Sequence, residues 1–407
     1  MAHALLSPSS AHRWAHCPGS IVLEQGYEDK GSSFAAEGTA AHELAARCLL
    51  TQKDAAVHIG EAIEADGQTF TVDFEMAENV QTYLDYVRAL GGVLKIEQAL
   101  PLQELTGEDG AHGTADAVVM LEDELIIVDL KYGRGVKVEA RGNEQLGIYA
   151  AAAHGHYGPL ADFQRVRLVI VQPRLNHISE HDYTIGELNT FAERIRIRAA
   201  RARECLAKKP QEITAEELGA GEKSCRFCKA KADCPAAAAL VFNAVADAFV
   251  DETQPIKPQI EHTKGQTHDN ATLANKLAAV DYIEDWCKAI RARAHSELEA
   301  GRSVPGYKLV EGRAGARTWA DVEEAEALMK KFKLKAEEIY DMKLISPTSA
   351  EKLHKAGAIG PRQWAGVQAL ITRKPGSPTV APESDKRPAL ETDPAAGFED
   401  ETAAALV

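Results

Sequence analysis

Long apolar runs are missing from this sequence. The most apolar late stretch, Ala236 to Val250, is broken by Asn243 and Asp247 and is shorter than the about 20 residues a bilayer-spanning helix needs, so no membrane anchor is expected. The opening MAHALLSPSSAHRWAHC lacks a basic segment followed by an apolar core; it does not read as a secretory signal, and a cytoplasmic protein is expected. Aromatics are scarce at 6%, and only 17 of 407 residues are proline, which argues against low complexity overall. Basic excess is absent too, since the formal net charge is −15, and this disfavours a protein that coats DNA non-specifically. The deficit is uneven. Residues 1–128 hold 6 Lys and Arg against 21 Asp and Glu, whereas residues 129–210 hold 14 against 9, so a local groove for phosphates stays open. What remains is ordinary globular material, 45% hydrophobic and 26% charged, with length for two or three domains. The 7 cysteines, odd in number and clustered, point to metal or iron–sulfur ligation before disulfides.

Helical patterns come first. Ala35 to Leu50 is rich in Ala and Leu, and Val72 to Leu90 carries Phe74, Val80, Tyr83, Leu84 and Val87 near helical spacing before Gly91-Gly92. Three β-branched runs follow, Val93 to Leu100, Thr114 to Leu121 and Leu125 to Leu130, the last two joined by the acidic turn Glu122-Asp123-Glu124. Gly142 to Ala153 resumes helix, Val166 to Gln172 reads as a strand covered on both faces, and Ile185 to Ala207 is a long basic helix. This order predicts an α/β layered fold. A helix after the 225–234 cysteines is expected to reach about Val250. Residues 251–270 have linker composition and 271–372 read as mostly helical with a short hairpin in 301–320, while the acidic, Pro-rich 373–407 is expected to be disordered. No internal repeat is visible.

The chemistry-bearing segment is GTADAVVMLEDELIIVDLKYG. It places Asp116 early in one strand, and Asp129 and Lys131 at the end of the next. Strand residues alternate faces, so Asp129 and Lys131 project from one side and a hairpin can bring Asp116 beside them. Two carboxylates and an ammonium suit a hard divalent cation such as Mg²⁺ or Mn²⁺, with the lysine orienting water and offsetting charge on an attacked phosphodiester. A solvated surface hairpin is the plain alternative for an isolated D-x-K. Gln145 and Tyr149, at i and i+4, share one helical face, and His42 follows Gly38 by four residues in a helical pattern. Singly these read as helix surface, core aromatic and satisfied helical histidine.

Taken in order, Gly38 to His42, Glu97 in KIEQAL, Gly113 to Asp116, Asp129 to Lys131 and Gln145 to Tyr149 resemble the RecB-like branch of the PD-(D/E)XK nuclease superfamily, whose motifs run G-x-x-x-H, a strand Glu, G-x-x-D, (D/E)-x-K and Q-x-x-x-Y. The resemblance implies a restriction-endonuclease-like core, a mixed central sheet flanked by helices, with a C-terminal helical extension. It implies metal-dependent DNA hydrolysis with Asp116, Asp129 and Lys131 catalytic, with His42, Asp116, Asp129 and the Leu130 carbonyl as metal ligands, and with Gln145 and Tyr149 holding DNA. Glu97 carries over least firmly, as a structural or supporting group. Tyr132-Gly133 departs from the Thr-Gly of many relatives, a local difference.

Cys225, Cys228 and Cys234 form C-x2-C-x5-C, three thiols in one loop that need a fourth ligand. The Ser-Pro-Ser opening and Cys17-Pro18 resemble RecB-like nucleases that carry a 4Fe-4S cluster, the AddB subunit type and CRISPR-associated exonucleases, which implies ligation by Cys17, Cys225, Cys228 and Cys234. Spacing alone leaves structural Zn²⁺ open as the alternative. Either would tie the N-terminus to a loop about 200 residues later. Cys48, Cys205 and Cys287 sit singly in helical patterns and read as free thiols; a redox role for C-x-x-C lacks its βαβ context.

Arg194, Arg196, Arg198, Arg201 and Arg203 on the basic helix either contact phosphates or form a solvated face. Tyr307, Lys308, Arg313, Arg317 and Trp319 either stack on single-stranded DNA or belong to a small packed β unit. The nuclease resemblance covers about residues 7–240, placing the nuclease domain with its cysteine-ligated cluster in 1–250; VPGYKLVEGR and KPGSPTVAPESDKRPAL further resemble RecB-like proteins of phages and prophages. The resulting expectation is a Mg²⁺- or Mn²⁺-dependent DNA exonuclease acting on single strands or duplex ends in phage replication or recombination, beside phage proteins of those processes. The alternative is a DNA-end or partner-binding module on a nuclease fold with little catalysis.

Overall fold

Burial is most complete where β-branched and leucine residues crowd. Glu124–Leu130 is buried at every position, as expected of a strand with a layer on each face. The computed structural model describes residues 4–27, 33–245, 270–310, 329–331, 347–355 and 357–371. The N-terminal segment holds two short helices, α1 (Ala11–Trp14) and α2 (Ser20–Leu23). The order continues α3 (Ser33–Thr51), β1 (Ala62–Ala65), β2 (Gln68–Thr71), α4 (Phe74–Leu90), β3 (Val93–Pro101), α5 (Gln103–Thr106), β4 (His112–Met120), β5 (Glu124–Leu130), α6 (Glu144–Tyr157), β6 (Arg165–Gln172), β7 (His177–Thr184), α7 (Ile185–Leu206), α8 (Glu222–Cys225), α9 (Pro235–Val245) and α10 (Asn270–Glu299).

Five strands form one sheet in the order β3-β4-β5-β6-β7. Neighbours are antiparallel except β5 and β6, which are parallel and joined across α6. Each sheet face has its own core. Val118, Leu125, Ile127, Val166, Leu168 and Ile170 pack under α6, α7 and the N-terminal segment. Ala117, Val119, Ile126, Val128, Val169 and Val171 pack under α3 and α4. The fold is thus a mixed α/β layer structure with helices on both sides, the arrangement the helix and strand periodicities predict.

Two elements were not anticipated. The β1–β2 hairpin turns at Asp66-Gly67, both with positive φ (48 and 74), the residue pair that suits a tight hairpin turn. β7 alternates buried and exposed residues as an edge strand, so its HISEHDYT composition lacks the apolar run that marks β6.

Met1–Val310 form one compact unit and Glu311–Val407 a second. In the first, α10 packs along α9. The second contains α11 (Pro347–Lys355) and α12 (Pro361–Gln368). Residues 302–310, where the first arm of a hairpin was expected, carry no strand; 311–328 lie outside the described residues, as do 246–269, which hold the expected linker up to Asn270, and 372–407, which hold the expected tail. Among the described residues no helix is long and apolar enough to cross a membrane.

Candidate metal centre

The site grows out of strand register. Ile96 pairs with Ala117 and Gln98 with Ala115, which brackets Glu97 against Asp116; the β4–β5 pairing ends at Ala117–Val128, the residues next to Asp116 and Asp129. Glu97, Asp116 and Asp129 therefore occupy neighbouring positions on β3, β4 and β5, a row of three carboxylates. Like charges so placed repel, and nothing in a purely structural sheet calls for them. The row also interrupts the ladder. Glu97 has φ +47, a left-handed conformation that costs a non-glycine residue about 1–3 kcal/mol, and the Leu130 N–H donates to Asp116 Oδ2 at 2.8 Å.

His42 reaches the row from α3, its Nδ1 3.3 Å from Asp116 Oδ2. One ligand atom each from His42, Glu97 and Asp116 lie within 4.8 Å of one another. Lys131, just beyond β5, places Nζ 2.9 Å from Asp129 Oδ2 and donates to Gln145 Oε1 at 2.9 Å. The family resemblance implies Asp129 as a metal ligand and Glu97 as a supporting group. Here Glu97 joins the histidine and Asp116, while Asp129 meets the lysine. The strand register, invisible to local periodicity, makes that exchange.

Protonation follows from crowding. Partial burial, then the charge of Asp116, pushes Glu97 up to about 7. Burial raises Asp129 against the pull of Lys131. Burial would also raise Asp116, but His42, the Leu130 N–H and Lys131 outweigh it and hold the carboxyl below its ordinary value. Burial opposes charge on His42 and on Lys131, yet the facing carboxylates keep both raised. Asp129 Oδ2 is buried and, despite the nearby ammonium, receives no aligned hydrogen bond. An imidazole nitrogen and clustered carboxylates fit a divalent cation, which would take over charge now balanced by protons and by Lys131.

The Glu97 shift makes a prediction. Its folded value exceeds the ordinary 4.5, so the folded chain binds this proton more tightly than the unfolded one, and metal-free stability falls as pH rises from 4.5 to about 7. A cation competes for the deprotonated carboxylate. Mg²⁺ or Mn²⁺ should therefore raise the thermal midpoint more at about pH 8 than at about pH 6, and Glu97→Gln should flatten that difference.

Tyr149 is buried on α6, and its hydroxyl is raised further by burial and by Asp129 and Asp116. Gly113 lets the ring lie on the strand, since a Cβ there would sit 2.9 Å from Tyr149 Cε1. No such contact explains Gly38, whose Cβ would meet nothing within 4 Å.

Arg174, Glu37 and Tyr83 stand beside the site although no local pattern marks them. Arg174, with 9% of its side chain exposed, pairs with Glu37 Oε2 at 2.9 Å and lies 4.6 Å from the Tyr132 ring centroid, joining α3 to the residue after Lys131. Only the departure at Tyr132 signalled this. Tyr83, read as an ordinary apolar position of α4, carries a buried hydroxyl without a partner, raised by burial and then by Asp116, Asp129 and Glu97.

The cysteines are gathered by a docked N-terminus. Cys17, Cys225 and Cys234 are buried and Cys228 is half-buried. Backbone N–H groups aim at sulfur: Gly221 donates to Cys225 Sγ at 3.4 Å, Gly219 to Cys17 and Ala230 to Cys228. Burial, then Glu24, pushes the Cys228 thiol up to about 12, so a metal would have to displace its proton. Arg13 pairs with Glu24 at 2.7 Å, Glu24 accepts from Lys229 N–H at 2.8 Å, and Gly19 N–H donates to Glu217 O at 2.8 Å. Gly219 must lack a Cβ, which would collide with the His16 carbonyl. Cys48 and Cys205 are buried singly in α3 and α7, and Cys287 is half-buried on α10.

The basic helix divides. Arg196 Nε donates to Glu104 O at 3.1 Å and Arg203 lies against Gly107, whereas Arg194 covers the Phe191 ring and Arg198 approaches His16; Arg201 is exposed. Tyr307 and Lys308 are exposed in irregular chain, while Arg313, Arg317 and Trp319 lie outside the described residues.

A family model described as "Protein of unknown function (DUF2800)" matches residues 3–388, and the chain belongs to that family. It is also similar to a solved structure titled "Crystal structure of SSO0001", with 15% identity over 56% of this chain and 85% of that one, at a TM-score of 0.25.

Proposed function

We propose that this family member is a Mg²⁺- or Mn²⁺-dependent deoxyribonuclease of the PD-(D/E)XK type, an exonuclease acting on single strands or duplex ends in phage replication or recombination. The observation that carries the reading is the row Glu97, Asp116 and Asp129 across three strands, faced by His42 and Lys131. His42, Glu97 and Asp116 would hold the cation, with Asp129 and the Leu130 carbonyl beside it. Once bound, the cation supplies Lewis-acid polarisation of a phosphoryl oxygen and a more acidic water. Lys131, kept charged by Asp129 and aimed by Gln145, offsets negative charge developing on the phosphate. Tyr149 and Gln145 line the same helical face, suited to holding the strand.

The cysteine set is proposed to carry a 4Fe-4S cluster. Support comes from the N–H groups aimed at sulfur and from the resemblance of the Cys17 and Cys225–Cys234 segments to iron–sulfur nucleases. Anaerobic purification should give a coloured protein with iron and sulfide; a colourless, zinc-loaded preparation would overturn this assignment.

The functional test is end-labelled single- and double-stranded DNA incubated with Mn²⁺. Wild type is expected to shorten the substrate from its ends, and Asp116→Asn to leave it intact. Binding without metal-dependent degradation by wild type would replace the nuclease reading with a DNA-end-binding module.

A further inference from the structure

Lys131 donates to Gln145, the second residue of α6. Where Gln145 stands depends on what anchors the first turn of that helix. Asn143 caps it by accepting from Leu146 N–H at 3.1 Å, and Glu144 Oε1 lies 2.8 Å from His16 Nε2. His16 is bonded to Cys17. An unbroken seam therefore runs Cys17, His16, Glu144, Gln145, Lys131, Asp129, made of two peptide links and three side-chain contacts of 2.8–2.9 Å.

The rest of the N-terminal segment follows the same path. Leu5 and Leu6 N–H groups both donate to Glu108 at 2.8 Å, Pro8 approaches Gly113 where Tyr149 lies, and Trp14 is buried in the core under α6. Arg198 Nη1 is 3.4 Å from the same His16 nitrogen, the longer of its two contacts, so the ring N–H donates to Glu144.

We infer that His16 and Glu144 are positioning residues that hold Gln145, and through it Lys131, in register with the cysteine-bound N-terminal segment. The inference rests on the nuclease reading for its kinetic consequence, but its structural part stands apart from it. The contact is half exposed at His16, with side-chain exposures of 36% and 13%. A pair so placed adds little to global stability. Its effect falls on orientation, where a small displacement of a catalytic group is costly.

The test uses full-length, metal-loaded protein carrying His16→Ala, Glu144→Ala or Glu144→Gln. Amide hydrogen exchange should quicken in 143–149 and 130–132 for both alanine variants and return to the wild-type pattern in Glu144→Gln, which keeps an acceptor for the imidazole N–H. With DNA, the alanine variants should lose about tenfold in kcat with KM nearly unchanged, and the visible absorption of the cysteine site should persist. Unchanged exchange in both segments overturns the inference, as does unchanged kcat in both alanine variants. If wild type degrades no DNA, the nuclease reading falls, and the exchange experiment still decides whether the seam positions Lys131.

Discussion

Lys131→Ala is expected to reduce metal-dependent DNA degradation by about a thousandfold or more while also loosening the fold. The two losses share one cause. Asp129 is 3% exposed and Lys131 is the cation beside it, 2.9 Å away. Removing one partner of a buried pair typically costs about 3–5 kcal/mol, because the other charge is left without compensation. The variant's deficit should depend on pH in a defined direction. Asp129 already has a raised folded value, caused first by burial, and loss of Lys131 raises it further. A carboxyl whose folded value exceeds its unfolded value loses stability as pH rises between the two. Urea unfolding should therefore find Lys131→Ala much less stable than wild type near neutral pH, and closer to it at lower pH, as Asp129 takes up a proton. A variant equally stable at both pH values, or one that keeps its nuclease activity, would contradict the role assigned to the pair.

Cys228→Ser is expected to abolish the visible absorption of the metal-loaded protein and lower its thermal midpoint by roughly 10–20 °C. Ligation joins Cys17 to the 225–234 loop and closes a segment of about 200 residues, and chain-closure entropy for that length is roughly 5 kcal/mol. For a domain of this size each kcal/mol moves the midpoint by about 2–4 °C. Part of the docking survives without metal, because the Arg13–Glu24 pair and the Glu24–Lys229 and Gly19–Glu217 hydrogen bonds do not involve sulfur. The loss is therefore expected as loosening rather than collapse. Cys287→Ser serves as the control, since this half-buried thiol on α10 stands outside the cysteine set. It should retain both the absorption and the midpoint.

Much of the frame was legible from local spacing. Apolar residues at helical intervals located α3, α4, α6 and α7, and β-branched runs located β3, β4, β5 and β6. β7 and the β1–β2 hairpin escaped because their strands are short or half polar, and their structure depends on pairing with a neighbour more than on their own composition. The candidate site divides in the same manner. Asp129 with Lys131, and Gln145 with Tyr149, are partners at separations that local geometry governs. Glu97 was left at the margin because its place depends on a cross-strand register and a left-handed backbone that no local pattern announces. Arg174 and Glu37 are 137 residues apart, and His16 and Glu144 128 apart; only docking of whole elements makes them neighbours.

The amino-acid sequence by itself determined which side chains share a face, because two-residue and 3.6-residue periods are properties of a few consecutive peptide units. It also determined the inventory: three carboxylates, a histidine, a lysine, three clustered thiols and a fourth near the N-terminus. The tertiary structure alone decided who meets whom. It put Glu97 with His42 and Asp116, joined Lys131 to Gln145, and laid the N-terminal segment along α6 so that the cysteine site and the lysine share one seam. Register and docking are chosen by burial of apolar surface across the whole sheet, a cooperative quantity that no short stretch of chain contains.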